Sequence, residues 1–169
     1  MRSIGAAEKA LDFMLARIND PKKTPFGKQL KEHGVILEWV AKSRLEIDAA
    51  RLIVLNAAMK IDESDAKGAL LEIAEAKVLV PQTALTVIDR AVQAFGAKGV
   101  CQDTPLANMW AGIRTLRIAD GPDEVHLQQM GKNENKRGPM VQKKQDAQMN
   151  EAQRLLKAYG AKTSAVPKL

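Results

Sequence analysis

Apolar residues recur along this chain with a helical step. Ile4, Ala7, Leu11, Met14 and Ile18 advance by three, four, three and four, one stripe on a helix. Asn19-Asp20-Pro21 ends it, because proline drives the preceding residue out of helical backbone. After a loop through Pro25, Phe26 and Gly27, the rhythm resumes at Ile36, Val40, Ser43, Ile47, Ala50, Val54, Ala57 and Ile61. A helix over 34–61 would be about 42 Å long at 1.5 Å per residue. Asp62-Glu63-Ser64-Asp65 reads as a capping cluster. A third helix carries Leu70, Ile73, Lys77, Val80, Ala84, Val87 and Ala91. Lys77 interrupts its stripe and should pair with a carboxylate from a neighbouring helix or snorkel to water. Pro81 should bend this helix, and Gly96-Ala97-Lys98-Gly99 should end it.

Asp103-Thr104-Pro105 reads as a cap followed by proline at the first helical position. Leu106, Met109, Trp110, Ile113 and Leu116 make a fourth helix that stops near Asp120-Gly121-Pro122. Asp123-Glu124 open a short fifth helix, with acids where its dipole favours them. The pattern therefore predicts an all-α fold, an antiparallel four-helix up-down bundle over 1–133. Beyond Lys132 the rhythm fades. Asn133 to Gln148 reads as polar and mobile, and Leu155, Leu156 and Tyr159 mark one short helix near 146–159. Residues 134–169 form a basic, partly disordered C-terminal tail in this reading.

Charge sharpens that division. The net charge of +6 is confined to the end of the chain: residues 1–129 hold 17 basic and 17 acidic residues, and 130–169 hold nine and three. A neutral body has no positive face for a phosphate backbone, so nucleic acid is not an expected partner. The longest uncharged stretch, Val78 to Ile88, has eleven residues, too short for a bilayer span of about 20. One cysteine, Cys101, excludes an internal disulfide and fits a reducing, intracellular compartment. Aromatics at 4% disfavour a β-sandwich or barrel.

Helical bundles often house metals, but the ligands are missing. The histidines are His33 and His126, with no Glu-x-x-His pair, no His-Glu-x-x-His and no paired cysteines, so no metal is expected. No glycine-rich phosphate loop is present.

Four segments, in order and spacing, carry a family likeness: RSIGAAEKAL over 2–11; PFGKQL over 25–30 with EHG over 32–34; DRAVQAFGAKG over 89–99; and DTPLANMWAGIRTLRIADGPDEVH over 103–126. Together they resemble the C-terminal helical domain of the acyl-CoA dehydrogenases, across residues 1–133, and the last resembles the family's member 10/11 subgroup. The resemblance implies FAD lying between a middle β-domain and this bundle and reaching a neighbouring subunit. It implies acyl-CoA as substrate, with a carboxylate taking the α-proton while the β-hydrogen leaves as hydride to the flavin. An α-C–H beside a thioester is a weak acid. Its base must therefore be positioned, and raised in pKa by an apolar enclosure.

By this resemblance Asp120 takes the place of the family's catalytic Glu and Gly121 contacts substrate. Its alternative, read from the residues alone, is a cap on the helix that follows. Lys23 stands where the family has an arginine facing the neighbour's FAD; lysine keeps the charge and loses the bidentate fork. Pro25, Phe26, His33 and Gly34 fall at further contacts to that flavin, as do Gln93, Gly96 and Ala97. Pro122 and Glu124 occupy positions near the chain's own flavin where the family often has Thr and Gln. The resemblance begins inside the family's first bundle helix, so both preceding domains are expected to lie outside this sequence. The isolated chain is then expected to be inactive. It is expected to form a homo-oligomer, dimer or tetramer, and the full enzyme to pass electrons to an electron-transferring flavoprotein or similar acceptor. The compartment would be mitochondrial or peroxisomal in a eukaryote and cytoplasmic in a bacterium. The rival reading is a non-enzymatic assembly module derived from the same domain.

Overall fold

A computed structural model describes residues 1–160. They form α1 (Arg2–Ile18), α2 (Gly34–Glu63), α3 (Leu70–Phe95), α4 (Ala97–Val100), α5 (Leu106–Arg114), α6 (Asp123–Asn135) and α7 (Gly138–Ala158), with three 3-10 turns and no strand among the described residues. The chain divides into a compact unit over Met1–Met130 and a second beginning at Gly131.

The first unit is a four-helix bundle built around α3, which packs on α1, α2 and α5. Side-chain contacts fix the directions. Arg17 at the end of α1 reaches the Ala94 and Phe95 carbonyls at the end of α3, so these two run parallel. Arg90 near the end of α3 meets Ser43 and Glu46 early in α2, so α2 runs the other way. Just after α5, Gly121 lies against Lys77 near the start of α3, so α5 is antiparallel to α3. The order is up, down, up, down.

The apolar stripes close the core. Ile4, Ala7, Leu11, Met14 and Ile18 of α1 are buried, as are Ile36, Ile47 and Ala50 of α2 and Val80, Ala84, Val87, Ile88 and Ala91 of α3. The polar member of the α2 stripe, Ser43, is buried as well, and its hydroxyl accepts a hydrogen bond from Arg90. α3 continues through the buried Pro81. Pro81 lacks the N–H that would have bonded the carbonyl of Lys77.

Three local expectations are corrected. Thr104 does not cap α5. Its hydroxyl donates to the Lys98 carbonyl, and Pro105 precedes the helix in αR backbone with no side-chain cap. In the acidic cluster after α2, the capping is at the helix end: Ser64 Oγ donates to the Lys60 carbonyl, and Asp65 accepts the Gly68 N–H. In the second unit, the helix expected near 146–159 runs from Gly138 to Ala158 and takes in much of the polar stretch. Its composition explains this. Gln, Lys, Ala, Met and Glu are strong helix formers, Pro139 sits in the first turn, and Gln142 and Asp146 bond one turn apart. The last part of the tail, 161–169, lies outside the described residues.

Candidate functional site

After α5 the chain makes a 3-10 turn over Thr115–Arg117 and then reverses direction. The reversal is made by two successive left-handed residues, Asp120 at φ +57° and Gly121 at φ +96°. Glycine adopts this conformation freely; aspartate does so at a cost on the order of 1 kcal/mol. The pair is anchored from outside. His126 Nε2 lies 3.3 Å from the Asp120 carbonyl oxygen, and Lys77 Nζ donates to the Gly121 carbonyl. A β-carbon on Gly121 would stand 3.2 Å from His126 Nε2.

Beneath the turn lies an ion triad. Asp123, at the start of α6, is 3% exposed. Its Oδ1 accepts from Lys77 Nζ at 3.2 Å and its Oδ2 from Arg117 Nε at 2.6 Å. Burial pushes the Asp123 carboxyl up. The hydrogen bonds from Arg117 and Lys77 outweigh burial and hold it below the usual carboxylate value. Lys77 thus has the carboxylate partner its place in an apolar stripe demanded.

Asp120 is exposed and lines, with Arg2 and Lys77, an open trough of about 450 Å³ whose other walls are largely apolar, among them Ala57, Ile61, Ile73, Val80 and Leu116. Its hydrogen bond is through the main-chain oxygen, and its carboxylate makes none to α6, which begins at Asp123. A carboxylate so placed can accept a proton from a molecule lying in the trough. Pro122 and Glu124 flank this turn and are exposed.

A second group of expected residues gathers at the other end of α3. Lys23, Pro25, Gln93 and Gly96 line one depression of about 350 Å³ together with Arg17 and Lys22. Arg17 is committed to the α3 terminus: it donates to two of its last carbonyls and lies 5.3 Å from the Phe95 ring centroid. Lys22 and Lys23 add positive charge around it. Phe26 sits at φ +56° with its ring 98% exposed, followed by Gly27 at φ +76°. Gly96, at φ +65°, has no atom within 4 Å of where a β-carbon would stand, so its backbone is open to close approach. His33 precedes Gly34 at the start of α2, and its Nε2 is buried without a hydrogen-bond partner among the described residues. Ala97, exposed, opens α4.

The two groups do not share a cavity. From Lys77 to Gly96 along α3 is 19 residues, about 28 Å at 1.5 Å each.

A sequence model of the family described as "Acyl-CoA dehydrogenase, C-terminal domain" matches residues 1–134. The chain belongs to the acyl-CoA dehydrogenase family. It is 53% identical over 127 residues to acyl-CoA dehydrogenase family member 11 of Gallus gallus, covering 75% of this chain and 16% of that protein. It is 49% identical over 142 residues to family member 10 of Mus musculus, covering 84% and 13%. Among solved structures, a Mycobacterium abscessus protein described as an acyl-CoA dehydrogenase superposes with a TM-score of 0.76 at 44% identity, over 79% of this chain and 32% of that one. Butyryl-CoA dehydrogenase of Megasphaera elsdenii gives 0.70 at 30% identity, over 78% and 33%. The chain thus spans about a sixth or less of these curated relatives and about a third of these solved chains.

Sequence reasoning missed how this acyl-CoA dehydrogenase domain supports its Asp-Gly turn. Asp123 read as an ordinary first-turn acid and His126 as an isolated histidine. The available signal was Lys77, a lysine inside an apolar stripe that had to find a carboxylate.

Proposed function

We propose that this domain supplies the proton-abstracting edge of a flavin-dependent acyl-CoA dehydrogenase, with Asp120 as base for the α-proton of an acyl-CoA thioester. One observation carries this reading: a carboxylate with no hydrogen bond of its own among the described residues is held in left-handed backbone on the lining of a largely apolar trough. Backbone strain at a polar residue persists only where its surroundings enforce it, and such positions cluster at functional sites. Asp120 is one methylene shorter than a glutamate, so its backbone must bring the carboxylate closer to substrate. The trough offers apolar walls to an acyl chain on the bundle side and is open on the other, so exclusion of water falls to domains outside this chain. Gly121, without a side chain, leaves room for the His126 ring that meets the Asp120 carbonyl.

The residues present also fit FAD. Lys22 and Lys23 offer charge for an anionic cofactor edge, Gly96 is open to approach, and the buried His33 Nε2 waits for a polar partner. Lys23, Pro25, Phe26, His33, Gly34, Gln93, Gly96 and Ala97 would hold the flavin of a neighbouring subunit, and Pro122 and Glu124 would lie near the chain's own. When bound, the flavin accepts the β-hydride. The separation of about 28 Å between the two ends supports this division, since one end of α3 can serve one flavin and the other end a second.

In an acyl-CoA dehydrogenase carrying this domain, Asp120→Asn should lower kcat at least 10³-fold. Turnover within tenfold of the parent would overturn the assignment. The 169 residues alone should be colourless and inactive in dye reduction with acyl-CoA, because the trough is open to solvent and the two groups lie apart. A yellow preparation with turnover would refute that part.

A second reading, a non-enzymatic assembly module, draws on a different surface. Leu45, Leu52 and Met59 repeat every seven residues on α2 and are 71%, 66% and 60% exposed. Under either reading the bundle self-associates, and light scattering that finds only monomer at tens of micromolar would count against it.

A further inference from the structure

We propose that Lys77, seated on Asp123 and acting with His126, is the positioning element that holds Asp120 for proton abstraction. The inference rests on the reading of Asp120 as base and goes beyond it by naming what keeps the base in place.

Asp120 and Gly121 are both left-handed, and neither carbonyl points into a helix that could satisfy it. Each is met instead by a side chain from a different helix: Asp120 by His126 of α6, Gly121 by Lys77 of α3. Lys77 is 44 residues away in sequence, so its bond ties the turn to the central helix of the core. Its ammonium is aimed by Asp123, whose two oxygens are divided between Lys77 and Arg117. Arg117 fixes the rotation of the carboxylate, the carboxylate fixes the ammonium, and the ammonium fixes the main chain directly after Asp120. Second partners of this kind orient functional groups they do not themselves replace. Simple charge neutralisation does not require the arrangement. Asp123 is already paired with Arg117, and Lys77 could face Asp123 alone. The added bond to the Gly121 carbonyl couples the triad to the turn.

Lys77→Met tests this without orphaning a buried carboxylate, because Arg117 stays on Asp123. Lys77→Arg restores charge and donors. His126→Ala removes the other anchor from a half-exposed site and decides the matter if the Lys77→Met chain does not fold. In NMR of the 169-residue chain, Lys77→Met should shift the Gly121 carbonyl 13C resonance. It should also lower the backbone order parameters of 120–122 from about 0.85 to below about 0.6. Those of α1 and α2 should hold, and Lys77→Arg should recover the parent values. His126→Ala should loosen Asp120 in the same way. Unchanged Gly121 shift and order parameters in Lys77→Met overturn the proposal, whatever happens to the melting temperature.

In an acyl-CoA dehydrogenase carrying the domain, Lys77→Met should lower kcat at least tenfold with KM within about threefold, a split that loss of fold would not give. An unchanged kcat overturns the proposal even where the turn has loosened. If Asp120→Asn in the same enzyme keeps its turnover, the base assignment fails. The NMR result then reports an anchor that serves structure only, and the proposal falls with it.

Discussion

Removing the Asp123 carboxylate should be among the most damaging single changes to this bundle. Asp123 is 3% exposed and accepts two charge-assisted hydrogen bonds, from Lys77 and Arg117. Breaking a buried ion pair from one side typically costs about 3–5 kcal/mol, because the surviving charge stays desolvated. Here the lower end applies. Lys77 keeps the Gly121 carbonyl, and Arg117, whose side chain is 31% exposed, can turn toward water. Asp123→Ala should therefore cost about 3 kcal/mol at pH 7, or about 10 °C in the midpoint of thermal unfolding for a unit of this size. Circular dichroism at 222 nm through a thermal or urea transition would measure it. The pH dependence gives an independent check. The native pKa of Asp123 lies below its unfolded value. Its contribution is therefore complete above about pH 4 and disappears as pH falls through the native pKa. Parent and Asp123→Ala should converge in stability toward pH 2. A cost under about 1 kcal/mol at pH 7, or a gap that persists unchanged in acid, would refute the account of the triad.

The same turn predicts opposite signs at its two residues. Gly121→Ala should destabilise by about 1–2 kcal/mol in urea titration, since φ is +96° and the new methyl meets His126. Asp120→Gly should stabilise by about 0.5–1 kcal/mol, because glycine relieves the left-handed strain, while an enzyme carrying the change loses its base. In the core, Ile88 is fully buried, and Ile88→Ala should cost about 3 kcal/mol by the same titration. Glu46→Ala leaves Arg90, whose side chain is 17% exposed, without its bidentate partner. It should cost about 2 kcal/mol, an effect that Arg90→Met combined with it largely reverses.

Helical rhythm was legible because one rule, burial of one face, governed each long segment. All five stripe residues of α1 are buried, and α3 follows its stripe from Val80 to Ala91. The rule is a weaker guide where a segment buries nothing, and no residue of α7 is buried. Its polarity masked a helix whose stability comes from propensity and local pairs. The turn after α5 fell between these cases. Asp120-Gly121 was legible as a stop, since Asp-Gly marks turns. The hand of that turn was not, because it is set by Lys77 and His126 from other helices. Among the described residues the non-glycine positions in left-handed backbone are Phe26 and Asp120, each directly before a glycine. One stands beside the lysine-lined depression and the other at the trough. Left-handed backbone carries a steric cost at both, and at Asp120 side chains from α3 and α6 hold it in place. Both also stand among the twelve positions to which the family resemblance assigned roles. Within that wider set, left-handed backbone separates Phe26 and Asp120 from the other non-glycine positions as the places where local stability is given up, and this is the ground on which Asp120 is proposed as the base.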